Sequence, residues 1–206
     1  MPGIALFEES FSMIASPGAT KEKLTNTINR WRIIKMRKFE FISMGQFLKD
    51  MAEIFNKNMN HVIDESSFGA SESFKLPKRA TAYSAGYDIY TPFTFTLMPN
   101  EEITIPTGLH VYMNPGEVLV IAPRSGLGFK YYSRLANTIG IIDSDYINSE
   151  NEGHIKVKLR NESDKNMTIK VGEAMCQALF LPFLITDDDK LGVGEKRNGG
   201  FGSTTK

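Results

Sequence analysis

His154-Ile155-Lys156-Val157-Lys158-Leu159-Arg160 decides the fold class, because apolar and polar residues alternate along it without a break. That is the period of a strand with one face in a core and the other in solvent. Met167-Thr168-Ile169-Lys170-Val171 repeats the pattern, and Ile103-Thr104-Ile105 and Val118-Leu119-Val120-Ile121 add two short strands upstream. Turn signals separate them at short intervals: Met98-Pro99-Asn100, Asn114-Pro115-Gly116, Asn161-Glu162-Ser163-Asp164 and Val171-Gly172-Glu173. Many short strands with no helical period between them predict an all-β domain, an antiparallel sandwich, jelly roll or barrel. The pattern runs over residues 76–186, long enough to bury one core.

Upstream of Leu76 the period changes. Leu24, Ile28 and Trp31 share a helical face within residues 20–34. A better helix begins at Ser43, where Ser43 and Gln46 form a capping-box signature and Phe47, Leu48, Met51, Ile54 and Phe55 make an apolar stripe. Residues 1–63 therefore read as a short helical N-terminal region. The basic, aromatic stretch 30–41 (RWRIIKMRKFEF) between the two helical patterns reads as a solvated face in preference to a nucleic-acid contact. Met36-Arg37-Lys38 resembles a translation start, which would make residues 1–35 an extension. Ser-rich residues 64–75 read as a linker, and residues 187–206, poor in apolar side chains, as a mobile arm.

Charge narrows the partners. The 206 residues carry 24 Lys+Arg against 24 Asp+Glu, a net charge of +0, which argues against general nucleic-acid binding but allows a small anion held by a few cations. A single cysteine, Cys176, excludes a disulfide framework, and three histidines without ligand spacing argue against a zinc centre. Burial is expected to raise the Cys176 pKa. No apolar run approaches the roughly 20 residues of a membrane span. The opening MPGIALFEES lacks the features of a signal peptide, so a cytoplasmic protein is expected.

Four clusters carry chemistry. Pro123-Arg124-Ser125-Gly126-Leu127-Gly128 offers a cation, a hydroxyl and converging backbone N–H groups, which suit phosphate oxygens and equally an ordinary turn. Arg197 with Gly199, Gly200, Phe201, Gly202, Ser203 and Thr204 has the makings of an arm that orders over an anion, or of a low-complexity terminus. Gly140-Ile141-Ile142-Asp143-Ser144-Asp145-Tyr146 delivers two carboxylates and a tyrosine to a strand end, as a general base requires and as an Asp-rich turn also would. Asp88, in Ala85-Gly86-Tyr87-Asp88, has the setting of a buried partner for an arginine.

Taken in order with Gly172-Glu173-Ala174-Met175-Cys176-Gln177, these stretches resemble the five motifs of the trimeric dUTPases, over residues 76–206. The resemblance implies a jelly-roll-like barrel and hydrolysis of dUTP to dUMP and pyrophosphate, which keeps uracil out of DNA and supplies dUMP for thymidylate synthesis. In such a site Asp143 activates the water that attacks the α-phosphorus. Arg124, Ser125, Gly126 and Gln177 match phosphate contacts, and magnesium arrives mainly on the triphosphate, with Asp88 near its water shell or in a supporting ion pair. The backbone about Gly140 and Ile142, with Asn137, would read uracil, and Tyr146 would lie against the deoxyribose or else serve as a core aromatic. Arg197, Gly202 and Ser203 would clamp phosphate while Phe201 covers the base. A homotrimer with shared sites is implied, the arm crossing to a neighbour.

Two departures stand out. Where the family reaches a glycine two residues after the tyrosine, Gly153 lies seven after Tyr146, placing five extra residues beside the expected sugar pocket. The fourth motif has Ala174 where an arginine is common. The related dCTP deaminases need a glutamate beside the base, and 154–159 contains none.

Overall fold

The computed structural model describes residues 37–57, 62–64, 66, 73–194, 197 and 199. The helical pattern expected over 20–34 lies outside them, as do Phe201, Gly202 and Ser203. Strands dominate: β1 (Lys38–Phe41), β2 (Val62–Asp64), β3 (Lys78–Arg79), β4 (Tyr87–Tyr90), β5 (Thr94–Leu97), β6 (Glu102–Pro106), β7 (Leu109–Tyr112), β8 (Glu117–Pro123), β9 (Arg134–Leu135), β10 (Gly140–Asp143), β11 (Lys156–Arg160), β12 (Met167–Ile169) and β13 (Ala174–Pro182). Helix α1 (Met44–Lys57) precedes most of them and α2 (Ser125–Tyr131) interrupts them. None of the described helices is long and apolar enough to cross a membrane.

The alternation seen in the sequence becomes an inside and an outside. Val157 and Leu159 of β11 are buried while Lys158 is exposed, and Met167 and Ile169 flank an exposed Thr168 on β12. Strand order is β10-β8-β13-β4-β3 in the largest sheet, with smaller sheets β6-β11-β9, β12-β5-β2 and β1-β7. Every pairing is antiparallel. Phe93, Phe95, Leu97, Ile103, Ile105, Ile155 and Leu159 are fully enclosed and form the barrel core. Asn161 is buried with them: its amide donates to the carbonyls of Leu97, Met98 and Lys165, which pins the turn expected there.

The N-terminal region departs from the helical expectation at its centre. Lys38–Phe41 is strand β1, paired with β7, and Phe39 joins the core instead of a solvated face. Helix α1 begins as expected, with Ser43 Oγ accepting from the Gln46 N–H at 3.2 Å. Phe47, Met51 and Ile54 are buried, but Leu48 is 59% exposed because the buried stripe is narrower than the apolar one. The Phe55 side chain lies outside the described ones. The other half of the cap comes from afar: the Ser43 N–H donates to Glu152 Oε2 at 2.8 Å, and the Gln46 amide turns to Asp50 instead.

Candidate active site

The residues singled out in the sequence fall into three groups. The first gathers where β8 runs into α2. Arg124 Nε lies 3.1 Å from Asp88 Oδ1 on β4, and its Nη1 donates to the Ala174 carbonyl at 3.4 Å. Ser125 and Gly126 occupy the first turn of α2, where backbone N–H groups have no partner within the helix. A side-chain carbon added at Gly126 would meet nothing within 4 Å, so this backbone faces open space. Gln177 on β13 donates to the Pro123 carbonyl at 3.0 Å. Its Oε1 lies 2.6 Å from where a Cβ at position 86 would stand, so a side chain there would displace the Gln177 amide.

The second group sits at the far end of β10. Asp143, its side chain 50% exposed, accepts from Arg197 Nη2 at 2.6 Å, and Arg197 Nε lies 3.3 Å from Asp145 Oδ1. The resemblance implies an arm crossing to a neighbour; here Arg197 meets the aspartates of its own chain. Its guanidinium also lies 5.5 Å from the Tyr146 ring centre. Tyr146 is 3% exposed, and its hydroxyl donates to the His154 carbonyl at 3.0 Å while accepting from Asn151 Nδ2. Burial raises the Tyr146 pKa, with the Asn151 hydrogen bond and Arg197 opposing.

The third group lines a pocket of about 590 Å³ that includes Asn137, Gly140, Ile142, Lys156, Lys158 and Glu53. β10 pairs with β8 on one side only. β11 pairs with β9 only at Leu159 and Arg160, so its edge at Lys156 and Val157 faces β10 across the pocket without a strand partner. Two strand edges thus present free backbone donors and acceptors to a slot, which is what a flat, hydrogen-bonding ligand requires.

The extra residues after Tyr146, expected beside a sugar pocket, follow a tight path. Tyr146–Asn148 forms a single 3-10 turn. Gly153, at φ 68, then returns so closely that a Cβ there would stand 2.7 Å from Ile147 Cα and 3.0 Å from the Tyr146 carbonyl oxygen. The insertion is an excursion that closes at its own root. It carries Glu152 to the start of α1 and Ser149 Oγ to the Gly199 carbonyl at 3.2 Å.

Several residues around the pocket have no counterpart in the sequence motifs. His154 is fully buried; its Nε2 accepts from the Gly108 N–H at 2.9 Å and its Nδ1–H donates to Asp50 Oδ2 at 2.5 Å. Burial lowers the His154 pKa despite the Asp50 hydrogen bond, in agreement with a ring whose Nε2 must stay unprotonated to accept. Burial pushes Asp50 up, but the hydrogen bonds from Lys156, Gln46 and His154 outweigh it and hold the carboxyl below its ordinary value. Lys156 Nζ lies 2.6 Å from Asp50 Oδ1 and 3.7 Å from Glu53 Oε2. The Ser43 cap signals α1 but not where its polar side docks. Cys176 is fully enclosed, and burial drives its thiol pKa far up, as expected of a core cysteine.

The dUTPase family model matches residues 72–205. A deoxyuridine 5'-triphosphate nucleotidohydrolase of Lactococcus lactis subsp. lactis is 46% identical over 130 residues, covering 63% of this chain and 87% of that protein. The protein of the same name from Actinobacillus pleuropneumoniae serotype 5b is 40% identical over 141 residues, covering 65% and 89%. Among solved structures, the dUTPase of Streptococcus mutans aligns with a TM-score of 0.52 at 35% identity, over 62% of this chain and 98% of that one. A mutant dUTPase from phage phi11 of S. aureus, described with a structural Mg(II) ion, shares the fold at 17% identity and a TM-score of 0.53, over 78% and 99%.

Proposed function

We propose, from the premise that this chain belongs to the dUTPase family, that it hydrolyses dUTP to dUMP and pyrophosphate through a water activated by Asp143. The observation that carries the reading is the slot between β10 and β11, whose wall includes Gly140, Ile141 and Ile142, the three residues that precede Asp143 on β10. A pyrimidine entering it meets backbone N–H and C=O groups from two unpaired edges, and Asn137 adds a side-chain amide at the hairpin. Fixed backbone donors discriminate by pattern, so uracil fits where cytosine's reversed donor does not. The close approach of backbone likewise leaves no room for thymine's methyl group.

Beyond the base, Tyr146 offers a buried ring beside the sugar, and the carboxylate of Asp143 stands exposed at the strand end, where it takes a proton from water. Charge then builds on the phosphate oxygens as pyrophosphate leaves, and fixed cations and N–H donors stabilise it. Arg124, Ser125, Gly126 and Gln177 supply those donors, and Arg197 with Ser203 closes over the far phosphate while Phe201 covers the base. The residues fit magnesium carried by the triphosphate. Asp88 offers one carboxylate beside Arg124, and no group of three His, Cys, Asp or Glu among the described residues would hold an ion alone. When bound, the ion neutralises phosphate charge.

Geometry also supports a shared site. Asp143 stands opposite Val118 in the β8–β10 ladder, whereas Arg124 follows the other end of β8. Six residue steps lead from Val118 to Arg124, about 20 Å at the rise of a β-strand. A triphosphate with its α-phosphorus at Asp143 does not reach the Arg124 of the same chain. α2 has no fully buried residue, and Phe129 on it is 89% exposed, as suits an element completed by another copy. A homotrimer in which one chain supplies the base slot and another the Arg-Ser-Gly loop satisfies both. Within a cell such an enzyme works in the cytoplasm, limiting uracil in DNA and feeding thymidylate synthesis.

The test is incubation of the purified protein and magnesium with dUTP, dTTP, dCTP and UTP separately, products being resolved by ion-exchange chromatography. dUMP and pyrophosphate from dUTP alone are expected. dUTP formed from dCTP would replace hydrolysis with deamination, and no product from any nucleotide would refute the enzyme.

A further inference from the structure

Helix α1 lies outside the segment that the family model matches, 72–205, yet it reaches the pocket. Glu53 is part of the pocket wall, and Lys156, on the opposite strand edge, is held by two carboxylates of α1. Asp50 is the firmer of the two. Its side chain is 5% exposed, one oxygen takes the Lys156 ammonium and the other takes His154 Nδ1–H, whose ring is in turn fixed by the Gly108 N–H. A buried pair of this kind gives little net stability against an apolar substitute of the same size, but it defines one arrangement. Here β6 holds one edge of β11 at Lys156 and Val157, while on the edge that faces the slot β9 has ended, so no strand ladder joins β11 to β10 across it. His154 and Lys156 flank Ile155, whose N–H donates to the Leu109 carbonyl, so the clamp acts on backbone that β7 also holds.

We propose that α1 is a wall of the nucleobase slot, and that Asp50 and Glu53, acting through Lys156, are positioning residues that hold the edge of β11 at the spacing from β10 that a pyrimidine requires. The proposal rests on the reading of the slot as the uracil site and adds to it a contribution from outside the family's motifs. The pair also sets the chemistry of one wall. The Lys156 ammonium, which can only donate, favours a base carbonyl there, and its pairing with Glu53 occupies a carboxylate that would otherwise accept from cytosine's amino group, so the clamp supports discrimination between uracil and cytosine.

The experiment compares Asp50→Asn, Glu53→Gln and Lys156→Arg with the parent protein. It reads kcat and KM for dUTP, the ratio of kcat/KM for dUTP over dCTP, and affinity for dUMP by calorimetry. Loss of one charge-assisted hydrogen bond in the clamp corresponds to about a tenfold rise in KM for Asp50→Asn with kcat within about twofold. Glu53→Gln should show a smaller rise and a lower dUTP/dCTP ratio, and Lys156→Arg, which keeps the charge but not the shape of the contact, should raise KM less than Asp50→Asn does. Unchanged KM, dUMP affinity and selectivity in folded variants, with only a lowered Tm, would overturn the proposal and leave the cluster as a structural anchor. Should Asp50→Asn fail to fold, Glu53→Gln decides, since its side chain is 52% exposed and its loss does not threaten the core. A parent protein that binds dUMP without hydrolysing dUTP would remove the enzymatic reading while calorimetry still decides the role of the clamp.

Discussion

Gly153→Ala is the perturbation that the structure prices most directly. The position has φ 68, and the added methyl would stand 2.7 Å from Ile147 Cα, 3.0 Å from the Tyr146 carbonyl oxygen and 3.2 Å from Ile147 N. All three neighbours are backbone, so no side chain can swing aside. Holding an alanine in the left-handed region costs about 1–2 kcal/mol, and forcing backbone apart in a packed site adds about 1–3 kcal/mol. We therefore expect a loss near 3 kcal/mol, seen as a fall in Tm of roughly 6–12 °C for a chain of this size. Urea denaturation followed by far-UV circular dichroism gives the same quantity as a shift in midpoint at constant slope. The neighbour displaced is Tyr146, so KM for dUTP should rise in the fraction that stays folded. The same chemical change at Gly126 is the control. There the methyl meets nothing and the residue is helical, so alanine should gain about 0.5–1 kcal/mol while filling space in front of backbone donors that contact phosphate. A Gly153→Ala protein within 0.5 kcal/mol of the parent would refute the claim that the extra residues close back on Tyr146.

Asp143→Asn should keep fold and nucleotide binding while turnover falls about 10²–10⁴-fold, the worth of a general base; steady-state kinetics beside dUMP calorimetry separates the two. Deleting residues 197–206 should abolish hydrolysis, whereas the unfolding midpoint should hold, because the Arg197 pair with Asp143 and Asp145 is a partly exposed contact of small net worth. Stability should fall as pH drops below about 6.5, the ordinary histidine value. The His154 pKa is lowered in the folded protein, so between the two pKa values only the unfolded chain binds the proton. One proton limits this slope to about 1.4 kcal/mol per pH unit. His154→Gln should flatten it in urea titrations at pH 5 to 7.

What could be read from the sequence depended on the range over which the signal acts. β11 and β12 were legible because alternation over five residues is a local property of a half-buried strand, and the Ser43 cap because its oxygen acts three residues away. Lys38-Phe39-Glu40-Phe41 also alternates, but four residues inside a basic, aromatic stretch are too few to separate a strand from a helix face without its partner β7. Asp143 and Arg124 stand out as candidates because each sits in a motif whose residues are neighbours along the chain, whereas Gln177 is picked out by the resemblance alone. The docking of α1 was not legible. Asp50, His154 and Lys156 meet across more than a hundred residues, and the Glu152 that caps α1 belongs to an insertion whose path depends on Gly153. Leu48 shows the same limit: apolarity gives it a face, but only the neighbour decides whether that face is covered.

The separation of Asp143 from Arg124 makes a sharper demand than either residue does singly. Both lie in motifs that a linear reading assigns to one site, yet the β8–β10 register puts them at opposite ends of a strand. If the site joins two chains, Asp143→Asn and Arg124→Ala damage different halves, and each variant still carries the half that the other lacks. Unfolding the two inactive proteins together in equal amounts and refolding them gives mixed trimers by chance. Each site then draws an intact Asp143 half the time and an intact Arg124 half the time, independently, so activity should return to about a quarter of the parent's, as closed symmetry with shared sites requires. A site built within one chain predicts the opposite, since every chain in the mixture carries one lesion and none can be repaired by its neighbours. Recovery in the mixture, against none in either variant refolded alone, therefore measures whether the 20 Å gap implied by the strand rise is bridged by a second copy.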